Sequence, residues 1–330
     1  MRRYAELFNH FKMIVMKKQQ SFTKRDVYQE VTQQVISALE QGHIIWKQGW
    51  NSLGLPKNIA AGNHYRGWNL FYLNFIAMYK GYKTPYFITY RQAQDLGGNI
   101  RRGEKGYQIV YWALVDNRNK TVTIKDAEAG EEKERHPQYR VPKFYIVFNI
   151  DQTEGIEFPK VETLFQNKAD KLEACEQMID NMPHRPKIRN AGDRAYYSCA
   201  TDKVTMPLPA LFYSMEEYYS TLFHELAHST GHETRLNRKE LKEHDGFGGE
   251  NYGKEELTAE LTAAFLCAIS GIEQKTLTNS TAYIQGWLKA LNNDKSLILK
   301  AASQAQAAAD FILNHKAAAP REEVRLLLHA

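Results

Sequence analysis

The sequence predicts an α+β protein in two parts: a small mixed domain in front and a mostly helical domain behind. Three observations carry this. A chain of 330 residues is longer than one typical core requires and suits two domains of ordinary size. The charge is split: residues 1–110 hold sixteen Lys and Arg against six Asp and Glu, or +10, which leaves −5 for the rest of a chain with net charge +5. Strand-like runs concentrate in the front half, and helical periodicity dominates the back.

The elements follow in order. Residues 1–22 read as a basic, poorly ordered arm. Val27, Val31, Val35, Ile36 and Leu39 recur at helical spacing, so a helix is expected from about Lys24 to Gln41, ended by Gly42. Glycine, proline and asparagine make 43–64 loop-like. A short helix is expected over Asn69–Tyr79, a strand over Phe87–Thr89, and a helical turn over Tyr90–Leu96 closed by Gly97-Gly98. Tyr107–Leu114 and Lys143–Asn149 are strong strands. The charged stretch Asp116–Arg140 between them reads as an exposed hairpin or mobile loop. The front domain spans 23–155 and a linker 156–166. The back domain, 167–330, opens with a helix over Lys168–Asn181, broken by Pro183 and Pro186. Two short strands flank Thr201-Asp202. Helices are expected over Ser214–Thr230, Lys254–Ser270 and Thr281–Asn314, with a polar loop over 231–253.

Composition narrows the function. No apolar run approaches a membrane span, and Met13–Met16 is too short for a signal-peptide core, so a cytoplasmic protein with no membrane partner is expected. Cys175, Cys199 and Cys267 are widely spaced and form no Cys-x-x-Cys pair, which suits reduced, mostly buried thiols.

The sharpest chemical signal is His224-Glu225-Leu226-Ala227-His228. Positions i and i+4 share one helix face, so His224 and His228 can offer both imidazoles to one tetrahedral ion, zinc or another divalent transition metal. Glu225 lies beside them, able to take a proton from an activated water and pass it to a leaving amine. Apolar flanks (Leu222, Phe223, Leu226, Ala227) imply a buried helix, and two buried histidines around a carboxylate require a reason.

A catalytic zinc site keeps three protein ligands and one open position. His232 would project past the ion, beyond Gly231, and Thr234 stands where a third histidine would be needed. Glu256-Leu257-Thr258-Ala259-Glu260 resembles the Glu-x-x-Ala-Asp/Asn segment of many zinc peptidases. That match implies Glu256 as the third ligand and Glu260 as the carboxylate orienting a ligand histidine, with Glu260 as the alternative ligand. Tyr252, His232 and His244 are candidate oxyanion stabilisers. Tyr196 and Tyr197 precede the motif on a strand that either packs or pairs with an extended substrate.

The front half interleaves aromatic and basic residues in a manner suited to single-stranded nucleic acid, where bases stack on rings and cations follow phosphates. Candidate contacts are Trp46, Lys47, Trp50, Tyr65, Arg66, Trp68, Arg91, Arg101, Arg102 and Lys105. The run Gly97–Gly106 is a basic glycine-rich turn without Walker spacing.

Several segments together resemble the ArdC-type antirestriction proteins of plasmids and conjugative elements, over roughly residues 24–315. They are Trp46–Trp50, NHYRGWN at 63–69, TYRQAQDLGGNIRRGEKG at 89–106, VFNIDQTEG at 147–155, YYSTLFHELAHSTGHETRL at 218–236 and EELTAELTAAFL at 255–266. The resemblance implies an N-terminal domain that binds single-stranded DNA and a C-terminal zincin-like metallopeptidase domain. It also implies protection of incoming DNA from restriction, with a host restriction-related or other protein as substrate. A second reading is a free-standing zinc metalloprotease with an N-terminal substrate-recognition domain. A third is a binding module in which zinc only ties helices together.

Overall fold

The structure is a computed structural model. It describes residues 27–41, 54–116, 122–125, 132–135, 138–158, 167–243, 250–274 and 280–315. The arm at 1–22, the residues Trp46, Lys47 and Trp50, most of the linker, and His244 lie outside the described residues.

In chain order the front half forms α1 (Val27–Glu40), β1 (Lys57–Asn58), α2 (Gly67–Lys80), β2 (Tyr86–Thr89), α3 (Tyr90–Asp95), β3 (Asn99–Ile100), β4 (Tyr107–Asp116), β5 (Val122–Lys125), β6 (Glu132–Arg135), β7 (Gln138–Asn149) and β8 (Thr153–Glu154). The main sheet has the order β1-β2-β7-β4. Its spine is the antiparallel β4–β7 pair, registered from Tyr107↔Val147 to Asp116↔Gln138. The charged stretch between these strands takes the hairpin option: β5 and β6 pair antiparallel, Val122 opposite Arg135.

Helix α2 is apolar on nearly every side, because it lies between this sheet and the back half; Leu70, Phe71, Leu73 and Phe75 are all buried. The amide of Asn69 binds it to β4 by donating to Val110 O (2.7 Å) and accepting from Val110 N (3.0 Å). Gly81 ends α2 in the left-handed region (φ 66°), where its N–H reaches the Ala77 and Met78 carbonyls. Two-residue β1, parallel to β2, stands inside the segment read as loop; two residues are too few to carry a period.

The back half forms α4 (Lys168–Asn181), β9 (Lys187–Asn190), β10 (Tyr196–Ser198), β11 (Lys203–Met206), α5 (Met215–Thr230), α6 (Lys239–Lys242), α7 (Glu250–Ser270), α8 (Ser280–Asn293) and α9 (Leu297–Ile312). A three-stranded sheet runs β10-β11-β9, with β10 antiparallel to β11 at one edge. Helix α7 is the central post: Leu257, Ala259, Leu261, Ala263, Ala264 and Phe265 are fully buried. Helices α5 and α9 pack against it.

Two expectations are corrected. The helix expected over Thr281–Asn314 is two helices, because Asp294 stops the first and accepts from both the backbone N–H (2.9 Å) and hydroxyl (2.6 Å) of Ser296 at the start of the second. The polar loop over 231–253 contains α6 and the first turn of α7.

The halves are in contact. Helix α1 packs on α8, and α2 on α9. Thr32 Oγ1 donates to Lys295 O (3.0 Å), Gly67 N donates to Gln306 Oε1 (2.9 Å), and Arg66 pairs with Asp310. No helix among the described residues is long and apolar enough to cross a membrane.

Candidate metal centre

Helix α5 starts at Ser214, whose side chain caps Glu217 N (3.2 Å). Its middle is buried, with His224 5 % and Glu225 8 % exposed. The apolar residues that bury α5 against α7 therefore carry the polar motif into the interior with them.

Helix α7 meets it with three glutamates. Glu256 lies opposite both imidazoles: Oε2 is 3.4 Å from His224 Nε2, and Oε1 is 3.4 Å from His228 Nε2. The two Nε2 atoms are 3.1 Å apart. A tetrahedral ion about 2.0–2.1 Å from each ligand separates the ligands by about 3.3 Å. The three residues thus form a triangle of the size such an ion requires, and they are the cluster among the described residues that could hold one. Glu256 Oε2 is buried with no hydrogen-bond donor, a deficit that a cation at this point would remove.

The other two glutamates flank the histidines. Glu260, fully buried, has Oε1 3.5 Å from His224 Nδ1, and Gln274 Nε2 donates to its Oε2 (3.1 Å). Glu255 Oε1 is 3.2 Å from His228 Nδ1. A proton held on His228 Nδ1 by Glu255 leaves that Nε2 lone pair facing Glu256, whereas His224 Nδ1 and Glu260 Oε1 face each other without a hydrogen bond.

Behind Glu255 stands Arg238, 5 % exposed. Its Nε donates to Glu255 Oε2 (2.9 Å), Nη1 to Thr230 Oγ1 (2.6 Å) and Nη2 to Ala227 O (2.8 Å). Gly231 packs closely here: a Cβ would stand 3.0 Å from both Arg238 Nη2 and Leu241 Cδ2, so those side chains would have to give by a few tenths of an ångström. Its φ is −75°, so it closes α5 without a left-handed turn.

The electrostatics favour a cation. Burial alone would lower both histidines, yet Glu256 and its neighbours raise them. Burial alone would raise Glu256, yet His228 and His224 hold it well below the usual carboxylate range. Burial pushes Glu225 up, partly offset by the two imidazoles and by the Tyr197 backbone. Helix α5 packs beside the edge strand β10.

The remaining sequence candidates separate. His232 turns away, its Nδ1 2.8 Å from Thr234 Oγ1. Tyr252 is one turn before Glu256 on α7, half-buried. Trp68 is corrected as a surface platform: it is 6 % exposed and stacked on Tyr72 at 5.7 Å, because α2 is buried by the sheet and α9 together. Tyr65 is half-buried and edge-on to Phe87. Arg101 is exposed but engaged by Glu104 (3.2 Å) and the Asp151 carbonyl. Arg91, Arg102 and Lys105 are exposed. Glu255 and Arg238 were missed by sequence reasoning. Glu255 had a signal, as one of three carboxylates within six residues, whereas Arg238 had none.

Two family models match the chain. Residues 25–148 match the family described as the N-terminal domain of anti-restriction factor ArdC, and residues 173–304 match that described as zincin-like metallopeptidase. The chain is 35% identical over 308 residues to the uncharacterized protein y4eC of Sinorhizobium fredii, covering 92% of this chain and 96% of that one. It is 33% identical over 302 residues to the DNA primase TraC of Escherichia coli, covering 88% of this chain but 27% of the primase. Among solved structures it is similar to the antirestriction protein ArdC from plasmid R388. The metal-free form is 37% identical with TM-score 0.67, covering 87% of this chain and 97% of that one. The Mn(II)-bound form is 35% identical with TM-score 0.69, covering 88% and 98%.

Proposed function

The chain belongs to the ArdC family of antirestriction proteins, with an ArdC-type N-terminal domain and a zincin-like C-terminal domain, and from that membership we propose that it binds single-stranded DNA and cleaves a protein by divalent-metal chemistry in the cytoplasm of a cell receiving plasmid or conjugative DNA. The carrying observation is the buried triangle of His224, His228 and Glu256 with Glu225 alongside.

His224, His228 and Glu256 would hold the ion, and its donor set of two imidazoles and one carboxylate suits zinc. The Mn(II)-bound relative admits another divalent metal. When bound, the ion supplies Lewis acidity toward a water and a carbonyl. The rest is done by the chain. Glu225, raised by burial, takes a proton from the attacking water and returns it to the leaving amine. The outer edge of β10 aligns an extended substrate beside Glu225. Tyr252, a turn before Glu256 on the same helix, is taken as the oxyanion stabiliser, since His232 Nδ1 is turned to Thr234. A restriction-related host protein fits the family's role as substrate. In the front half, Arg91, Arg102 and Lys105 carry the DNA reading, together with Trp46, Lys47 and Trp50.

Two measurements test this. Oligothymidine anisotropy should show binding that weakens steeply with salt and persists after chelation. Metal-loaded protein should cut itself or a candidate host protein, and Glu225→Gln should abolish cleavage while retaining metal. Failure to bind the oligonucleotide ends the DNA reading, and cleavage that survives E225Q ends the assignment of the base.

A further inference from the structure

The small sheet of the back half turns one face to the core and the other to solvent. Its register puts Lys187, Lys203 and Ser198 in one row, and Arg189, Thr205 and Tyr196 in the next. Side chains alternate across a strand, so these six share a face, while Ile188, Val204 and Tyr197 take the other. Val204 is fully buried, which makes the six-residue face the outer one.

That face carries a cleft of about 250 Å³ lined by Arg189, Tyr196, Ser198, Thr201, Lys203 and Thr205. Arg189 is laid along it: Nε donates to Thr205 Oγ1 (3.1 Å) and Nη2 lies 3.5 Å from the Tyr196 hydroxyl. This fixes the guanidinium and leaves its other donors for a ligand. Among the described residues no carboxylate pairs with Lys187, Arg189 or Lys203. In a back half that holds more Asp and Glu than Lys and Arg, this is a local reversal of sign. Tyr196, 45 % exposed, presents its ring beside the cations.

We propose that this face is a second contact for single-stranded DNA, with Lys187, Arg189 and Lys203 on the phosphates and Tyr196 under a base. An acidic peptide would satisfy the cations but has no use for the ring; a nucleic-acid strand uses both. The Ser198 hydroxyl, which accepts from Thr201 Oγ1 (3.0 Å), adds a short donor of the kind that phosphate takes. Tyr196 lies on β10, which packs beside the motif helix α5, so the strand would run along the back of the catalytic edge. The proposal rests on the single-stranded-DNA reading above.

The test is oligothymidine anisotropy across a salt series on the full chain. K187A/R189A/K203A should bind about tenfold more weakly near 0.1 M salt. Its log–log salt slope should fall by about 2, since each single-strand phosphate contact contributes about 0.7. Y196A should weaken binding with the slope unchanged. K187A/K203A leaves the Arg189 hydrogen bonds intact and should lower the slope by about 1.4 with the melting temperature unmoved. If these variants bind as the wild type does while R102A/K105A is weakened, the second face is overturned and the front-domain reading stands. If the wild type does not bind, both fall. If DNA affinity is kept and affinity for an oligoglutamate peptide is lost, the face serves acidic chains and the proposal is wrong.

Discussion

Replacing Arg238 by Met would test how the metal centre is held. Arg238 and Glu255 form an ion pair with side chains 4 % and 7 % exposed. The variant keeps the apolar stem but leaves the Glu255 carboxylate buried without its partner. It also removes donors from Thr230 Oγ1 and Ala227 O. Removing one member of a buried pair costs about 3–5 kcal/mol, because the stranded charge keeps its desolvation penalty. Urea denaturation of the metal-free chain should show a loss of that size. R238M/E255Q should recover much of it, since the stranded charge is gone. Metal affinity should not recover: Glu255 also faces His228 Nδ1, and loss of such an orienting carboxylate weakens metal binding about 10–100-fold. A loss below about 1 kcal/mol in R238M would put the pair in the class of exposed ion pairs and refute this account.

By calorimetric titration with Zn(II), Glu256→Gln should abolish tight binding while Glu260→Gln should weaken it about 10–100-fold; equal losses would mean that both bind the ion. Gly98→Ala would put a Cβ 2.4 Å from Glu154 O and 2.2 Å from Ile156 Cγ1, so it should cost about 1–3 kcal/mol, visible as a lower urea midpoint; an unchanged midpoint would show that the chain beside the β3–β8 pair yields freely. Asp294 is lowered to about 2 by Lys300 first and then Ser296. Its contribution, about 1 kcal/mol for a helix-start carboxylate, is therefore fully present above the unfolded value near 4 and lost as pH falls toward 2. Melting curves of Asp294→Ala and wild type should differ at pH 6 and converge near pH 2; a constant gap would place the effect elsewhere.

Much of the centre was legible because helical spacing is local. His224 and His228 are one turn apart, as are Glu256 and Glu260, and apolar neighbours announce burial. The Glu256–imidazole contacts still had to be found in three dimensions, since nothing local fixes how two helices face. Arg238 was illegible: a lone arginine in a polar loop reads as solvated, and only packing of that loop over Ala227 buries it. Trp68 shows the same limit in reverse. Aromatic and basic residues interleave along 65–112, but composition cannot tell a ring in the core from one at the surface. The α8–α9 break was masked by helix-favouring alanines that follow it.

The edge strand β10 has a colloidal consequence. An unpaired strand edge is a template on which copies of a chain can join and grow into aggregates. This one is three residues long, Tyr196–Ser198, and Lys203 and Lys187 stand in the same row as Ser198. Copies that approach edge to edge bring like charges together over too few hydrogen bonds to hold. So short an edge is a poor seed for fibres of the chain's own copies.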